Sequence, residues 1–303
     1  MLNIDKSKRK EDEMPHYEHP LNISSLTERL KQKVTRYTHS SKEFYSTLRT
    51  SIDHIEEEEK TGKRIQSRLL PEEVERFHNY EFSRCLLSSM CLSGDFLDYF
   101  HINDKNLGFY MADVSGHGVS SGYVTILLNI MITDILSRYR SGEESSILDP
   151  HLLLKELNEM FLKEKLDKYF TIFYGVINTE KNILSFANGG QFPWPVISSE
   201  EGSRVIHIHS RCAPVGLFKS TRYRQQVVEL PDEFTMLLVS DGILEILPQK
   251  RIKEKQIYIE SLMMDMDIDI KEVLNKLNME EGKELPDDIT FLMIKRRRKF
   301  SGR

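Results

Sequence analysis

Between residues 22 and 70 the chain carries no proline and one glycine, Gly62, and its apolar residues return every three or four positions. That period predicts a single long helix. A heptad frame with Val34 at position a places Leu30, Val34, Tyr37, Phe44, Leu48, Ile55, Ile65 and Leu69 on one seam, interrupted by Ser41, Ser51, Glu58 and Gly62. Such a seam either packs the helix on its own domain or pairs two copies as a parallel dimer. The polar seam positions and the acidic run at 56–59 make a coil weakest just before the next domain, where a shift in packing costs least.

From Pro71 onward the pattern changes. Short alternating or continuously apolar runs predict strands over 81–90, 96–102, 107–114, 169–178, 183–187, 194–198, 204–209, 223–230, 234–240 and 289–295. Helical spacing covers 119–139, 150–166 and 250–278, the last breaking near Asp267. Turns at 103–106 and 180–182 join neighbouring strands as hairpins. Parallel sheets would need a crossover helix after nearly every strand, so the pattern predicts an α+β sandwich of mainly antiparallel sheets. The chain therefore divides into a tail and helical regulatory or dimerisation segment, 1–70, and a working domain, 71–303.

Composition narrows the function. With 39% hydrophobic and 29% charged residues in 303, the chain is globular rather than disordered. Its net charge of −5 argues against nucleic acid or an anionic membrane as partner. The longest apolar stretch, 123–136, includes Asn129 and Asp134 and falls short of the roughly 20 residues of a spanning helix, so no membrane segment is expected. The charged opening MLNIDKSKRKEDE leads into no apolar segment, and Cys85, Cys91 and Cys212 form no metal-type pair. A cytoplasmic location is expected.

Four short segments place aspartate at a predicted strand end close to glycine or another aspartate: Gly94-Asp95, Asp113 of ADVSGHG, Asp241-Gly242 and Asp287-Asp288. Each alone reads as a turn. Together they suggest hard divalent cations, because converging carboxylates repel one another and Mg²⁺ or Mn²⁺ prefer oxygen ligands. A pair of such ions activates water and neutralises a phosphate ester, which points to metal-assisted hydrolysis.

The ordered motifs SGDFLDYF (93–100), FYMADVSGHG (109–118), LLVSDGILEI (237–246) and LPDDITFLMI (285–294) resemble the SpoIIE/RsbU branch of the PPM-type metal-dependent serine/threonine protein phosphatases. IQSRLLP (65–71) and CAPVGLF (212–218) are similar to that branch's entry helix and Pro-x-Gly segment. The resemblance implies a PPM-type α-β-β-α sandwich that holds two Mn²⁺ or Mg²⁺ ions, with a bridging hydroxide that attacks phosphorus. Asp113 matches the aspartate that bridges both metals, and the Val114 carbonyl and Asp95 match ligands of the second. Asp241 and Asp287 match ligands of the first, with Asp288 as the alternative to Asp287. In this frame Gly94, Gly116, Gly118 and Gly242 let the backbone approach the site. His117 either protonates the leaving alkoxide or simply faces solvent. The implied substrate is a phosphorylated protein, such as a STAS-type anti-sigma-factor antagonist in partner switching.

Two departures stand out. Ser93 and Leu97 replace the glycine and the aromatic residue usual around Gly-Asp, and Gln191 of NGGQFP (188–193) replaces a histidine. Other readings compete. Gly118-x-Ser120-x-Gly122 fits a nucleophile elbow, although that fold requires a parallel sheet and a late histidine. His207-x-His209 could ligate zinc but lacks further ligands nearby. A non-catalytic phosphatase-like module that signals through a partner and its dimer state is the remaining alternative. If the helical seam pairs two copies, sedimentation detects a dimer for the whole chain and a monomer once residues 1–62 are removed; one monomeric mass for both excludes the pairing.

Overall fold

A computed structural model describes residues 42–143, 146–200, 202–205, 212–279 and 284–298. The chain runs from helix α1 (Lys42–Leu69) into β1 (Val74–Phe77), β2 (Tyr80–Leu87), β3 (Asp95–Asn103) and β4 (Asn106–Val114). Helices α2 (Val119–Arg140) and α3 (Pro150–Glu164) follow, then β5 (Phe170–Asn178), β6 (Ile183–Gly189), β7 (Val196–Ser199), β8 (Gly202–Val205), β9 (Gln226–Glu229) and β10 (Phe234–Val239). Three short helices, α4 (Ile243–Ile246), α5 (Ile252–Leu262) and α6 (Ile270–Lys276), precede the last strand, β11 (Ile289–Arg296).

The strands form two sheets, one of six in the order β1-β2-β11-β10-β7-β8 and one of five in the order β3-β4-β5-β6-β9. Every pairing between these strands is antiparallel. Three apolar layers hold them together. Between the sheets lie Leu97, Phe109, Met111, Phe173, Met236 and Leu292. On the outer face of the five-stranded sheet, Phe96, Tyr110 and Val114 meet Leu128, Ile132 and Leu157 of α2 and α3. On the outer face of the other, Leu237, Val239 and Phe291 meet Ile243, Ile259 and Val273 of α4 to α6. Because both faces of β10 are covered, all six of its residues are buried, which explains its continuous apolar run. The result is an α-β-β-α sandwich of mainly antiparallel sheets.

Where structure and pattern differ, local chemistry explains it. The edge strand β1 was not expected, because only Phe77 of its four residues is buried and so no alternation is visible. The helical block at 250–278 breaks into α5 and α6, and the second restarts where the Asp269 side chain accepts from Glu272 N and the Glu272 side chain accepts from Asp269 N. Of the expected long helix, residues 42–69 form α1, in which Ile65 is exposed and Leu69 packs on the core. Leu30, Val34 and Tyr37 of the seam, and His207-x-His209, lie outside the described residues.

Helix α2 is long and apolar enough by length and composition to cross a membrane, yet over half of its most apolar window is buried inside the protein. Its apolar character comes from packing on the five-stranded sheet. Under α2, the Asp98 side chain accepts hydrogen bonds from Tyr99 N at 2.8 Å and from Asn129 Nδ2 at 3.3 Å. Burial pushes this carboxyl up to about 7. The folded chain keeps that proton to about pH 7, whereas an unfolded aspartate releases it near pH 4, so stability falls as pH rises through this window. Asp98→Asn is therefore expected to raise the melting temperature at pH 8 by the equivalent of about 1–2 kcal/mol, with the gain shrinking toward pH 5. Thermal denaturation at the two pH values checks it.

Candidate functional site

The two sheets deliver their aspartates to one end of the sandwich. Asp95 opens β3 and Asp113 lies near the end of β4, and they are direct partners across that antiparallel pair. Directly opposed side chains lie on one face with Cβ atoms about 5 Å apart, a position in which like charges destabilise. From the other sheet, Asp241 follows β10 and Asp287-Asp288 precede β11, neighbouring strands themselves. A hydrogen bond joins the sheets here: Thr290 Oγ1 of β11 donates to Asp95 Oδ2 at 2.6 Å.

The electrostatics follow from this convergence. Asp95 is held well above the ordinary carboxylate range by burial and then by Asp113. Asp113 is pushed up to about 8 by burial, Asp241, Asp287 and Asp288. Asp241 has an exposed outer edge, but the protein beside it and then Asp287 raise its pKa. Asp287 is raised by burial and partly relieved by the hydrogen bond from Asp288 N and then by the exposed His117. Among the described residues no lysine or arginine forms an ion pair with any of these four carboxylates. Nor do three acidic, histidine or cysteine side chains among them close on one point at chelating distance.

Asp287 and Asp288 have different surroundings. Asp288 is 5% exposed and receives four hydrogen bonds, from Ser89 N (2.7 Å), Ser89 Oγ (2.9 Å), Ser93 Oγ (2.9 Å) and Gly94 N (2.7 Å). A carboxylate offers about four lone-pair sites, so Asp288 is filled by protein donors. Asp287 accepts from Asp288 N at 2.9 Å and keeps its face toward Asp113 and Asp241.

The glycines serve different ends. A Cβ on Gly242 would fall 2.0 Å from the Asp288 carbonyl oxygen, and one on Gly94 would fall 3.3 Å from the carbonyl oxygens of Val114 and Gly116. The Val114 carbonyl thus lies beside the Gly94-Asp95 turn. Gly116 and Gly118 are needed for conformation, with φ of +81° and +83°, and at Gly116 an added Cβ would also fall 2.9 Å from Lys168 Nζ. At Gly118 an added Cβ would meet only Met90 Sδ, at 3.6 Å.

Lys168 escaped sequence reasoning, and Gln191 was noted there only as a departure from the motif. Lys168 donates from Nζ to the Ser115 carbonyl (2.8 Å) and to Ser121 Oγ (3.2 Å), bracing the loop after Asp113, and burial lowers its pKa. Gln191 is 4% exposed and clasps the sheets, accepting from Thr171 Oγ1 and donating to the Val239 carbonyl. Its place is structural support under Asp113, whose register partner is Thr171. Polar residues inside otherwise apolar strands, such as Thr290, were the one available signal. The nucleophile-elbow reading fails, because the sheets are antiparallel, Ser120 is exposed, and Gly122 is small to admit Leu92, whose Cβ would lie 2.5 Å from an added Cβ.

A two-sheet sandwich covered by helices on both outer faces, with aspartates gathered at one end, defines the PP2C-type phosphatase fold. The family model of Stage II sporulation protein E (SpoIIE) matches residues 103–297, and the chain belongs to that family. Phosphoserine phosphatase RsbP of Bacillus subtilis is 26% identical over 213 residues, 67% of this chain and 49% of that protein. Protein IcfG of Synechocystis is 22% identical, across 82% of this chain and 43% of its own length. The chain thus spans about half the length of these curated relatives. Among solved structures, the SiaA PP2C domain of Pseudomonas aeruginosa superposes with a TM-score of 0.62 at 16% identity, covering 81% of this chain and 98% of that one. RsbX in complex with magnesium gives 0.53 at 19% identity, covering 74% of this chain and 98% of that one.

The glycine geometry is testable. Gly242→Ala must force the turn after β10 away from the Asp288 backbone and should cost about 1–3 kcal/mol. Gly118→Ala should cost a similar amount, since φ +83° and ψ −158° lie in a region open essentially to glycine alone. Urea denaturation measures both, and wild-type stability in either would contradict the assignment.

Proposed function

We propose that this chain is a metal-dependent phosphoserine/phosphothreonine protein phosphatase. The observation that carries the reading is the directly opposed pair of the buried Asp95 and the half-buried Asp113, with Asp241 and Asp287 adding charge from the second sheet. A fold that holds like charges together without a basic partner stores repulsion that a bound cation relieves. The donors are all hard oxygens, which suits Mg²⁺ or Mn²⁺ rather than zinc or copper.

In this reading Asp95, the Val114 carbonyl, Asp113, Asp241 and Asp287 would hold the ions, and Asp288 shapes the loop instead of ligating. When bound, such ions supply a water of lowered pKa as nucleophile and neutralise the phosphoryl oxygens. His117, exposed beside Asp287, is placed to give a proton to the departing serine or threonine oxygen. Lys168 fixes the loop that carries Gly116 and His117 against the sheet. The substrate we assign is a phosphorylated signalling protein, of the kind a STAS-type anti-sigma-factor antagonist represents. Support for it is the likeness to RsbP, named a phosphoserine phosphatase. The helical segment ahead of the catalytic domain serves dimerisation and control.

Phosphate release from a phosphoserine protein should appear with Mn²⁺ or Mg²⁺ and vanish with chelator. Asp113→Asn and Asp241→Asn should each lower it at least a hundredfold while the melting curve stays cooperative; full activity in either would refute the site. Because protons compete with the ion for Asp113, raised to about 8, metal affinity should tighten steadily from pH 6 to pH 8 with release of protons. Calorimetry in two buffers of different ionisation enthalpy reads that release.

A further inference from the structure

Phe218 is 55% exposed, and Leu217 beside it and Tyr169 are each 40% exposed. Single apolar residues at a surface are ordinary, but these three meet at one place. Phe170 N donates to the Val215 carbonyl at 3.0 Å and Val215 N donates to the Phe170 carbonyl at 2.8 Å, which sets residues 169–170 and 215–218 side by side. None of the three side chains belongs to an apolar core.

The backbone beneath them is fixed. Gly216 N donates to Asn158 Oδ1 at 2.8 Å, Asn158 Nδ2 donates to the Phe218 carbonyl at 3.1 Å, and Val215 is fully buried. A Cβ on Gly216, at φ +85°, would fall 2.4 Å from Phe161 Cδ1, so the segment lies flush on α3. Leu217 and Phe218 are thus held in water on a rigid support, a surface with little ordering left to lose on contact.

This surface borders the acidic site. Ser115 N donates to the Tyr169 carbonyl at 2.8 Å and Tyr169 N donates to Ser115 Oγ at 3.1 Å, which couples it to the loop that follows Asp113 and carries His117. Its charge is opposite to that of the chain. Residues 163–169 and 215–219 carry Lys163, Lys165, Lys168 and Lys219 against Glu164 and Asp167, whereas the chain has a net charge of −5. A protein whose phosphoserine reaches Asp113 lays the surface around that serine on this rim, where cations face a phosphorylated, acidic partner.

We infer that Tyr169, Leu217 and Phe218, edged by Lys165 and Lys219, form the docking surface for the folded protein that carries the phosphoserine, and that the matching face of that protein is apolar with acidic edges. The inference rests on the proposed phosphatase activity and deepens it by assigning what is recognised beyond the phosphate. An aromatic side chain buried at the centre of an interface carries much of its binding energy, so Phe218 is the anchor. Docking acts on substrate capture rather than on the chemical step, so its loss falls on KM.

The test compares the full chain with Phe218→Glu, Leu217→Glu and the control Ile257→Glu, whose isoleucine is 54% exposed on α5, over the other sheet. Each is assayed with Mn²⁺ on a phosphorylated STAS-domain protein and on p-nitrophenyl phosphate, an ester with no surface to lay on the patch, and its mass is followed by sedimentation. Phe218→Glu and Leu217→Glu should each lower kcat/KM for the protein, relative to that for the ester, at least tenfold, with the change in KM. Ile257→Glu should keep the wild-type ratio within about twofold. A wild-type ratio in both Phe218→Glu and Leu217→Glu overturns the docking surface, and so does an equal loss in Ile257→Glu, which reports added charge alone. A dimer that becomes a monomer in Phe218→Glu while the ratio is kept assigns the patch to a second copy of the chain and overturns the inference as well. Turnover of the ester without the protein overturns the docking of such a partner. A wild-type chain that hydrolyses neither overturns the phosphatase reading and the docking together, whereas hydrolysis of both with unaltered variants overturns the docking alone.

Discussion

Asp95, buried, and Asp113, half-buried, face each other across adjacent strands, where two carboxylates repel. The two strands cannot splay to separate them. Strand β4 is hydrogen-bonded on one side to β3 and along its full length on the other to β5, and its apolar residues are locked between two cores. Moving Asp113 away would break a ladder and expose Met111 and Val114. The architecture thus enforces a repulsion that side-chain motion can only partly relieve, and a proton or a cation between the carboxylates is the remaining relief. A proton relieves it up to the raised pKa of Asp113, about 8, and a divalent ion would relieve it by direct Coulomb attraction, which is the basis of the proposed metal site.

The division of labour between Asp287 and Asp288 follows from the two-residue period at the mouth of a strand. Successive side chains point to opposite faces, so one carboxylate turns toward the other aspartates and the next turns into the connection between β2 and β3. That connection crosses from one sheet to the other. Its residues have no ladder of their own, and Asp288 substitutes for one by taking donors from Ser89, Ser93 and Gly94. One buried carboxylate, fully hydrogen-bonded, shapes the loop from which a second carboxylate projects.

Much of this was legible from the residues. Strands such as β4, β5 and β10 announce themselves by apolar runs of the right length, and the aspartates at their ends follow from the chain order. Sheet order was less visible, since β2 pairs with β11 from the opposite end of the domain and no local pattern encodes that partner. The aspartates could be seen as a set only through their motifs. Lys168, and the partners of Gln66, Ser93 and Gln191, stayed hidden for a physical reason. A polar residue on a helix or loop reads as solvated unless its partners are known, and the partners of Gln66 lie 27 and 59 residues away. The same limit applied to Gly62, which breaks the heptad seam. Its reason is Leu92, whose Cδ2 would lie 3.1 Å from an added Cβ.

These contacts give α1 a single seat on the domain. An apolar helix face tolerates small slides, because dispersion contacts are many and non-directional. The three hydrogen bonds of the Gln66 amide, with the Ser93 carbonyl, Ser93 N and Thr125 Oγ1, do not, since a shift of one residue along the helix moves the side chain about 1.5 Å and turns it about 100°. Leu92, fitted against the places of Gly62 and Gly122, adds a steric stop to the same register. All these contacts are made or lost together, so the docked helix is one state rather than a continuum. The Ser93 peptide that Gln66 holds in that state is the one preceding the Gly94-Asp95 turn, so the seating of α1 and the aim of Asp95 are a single structural fact.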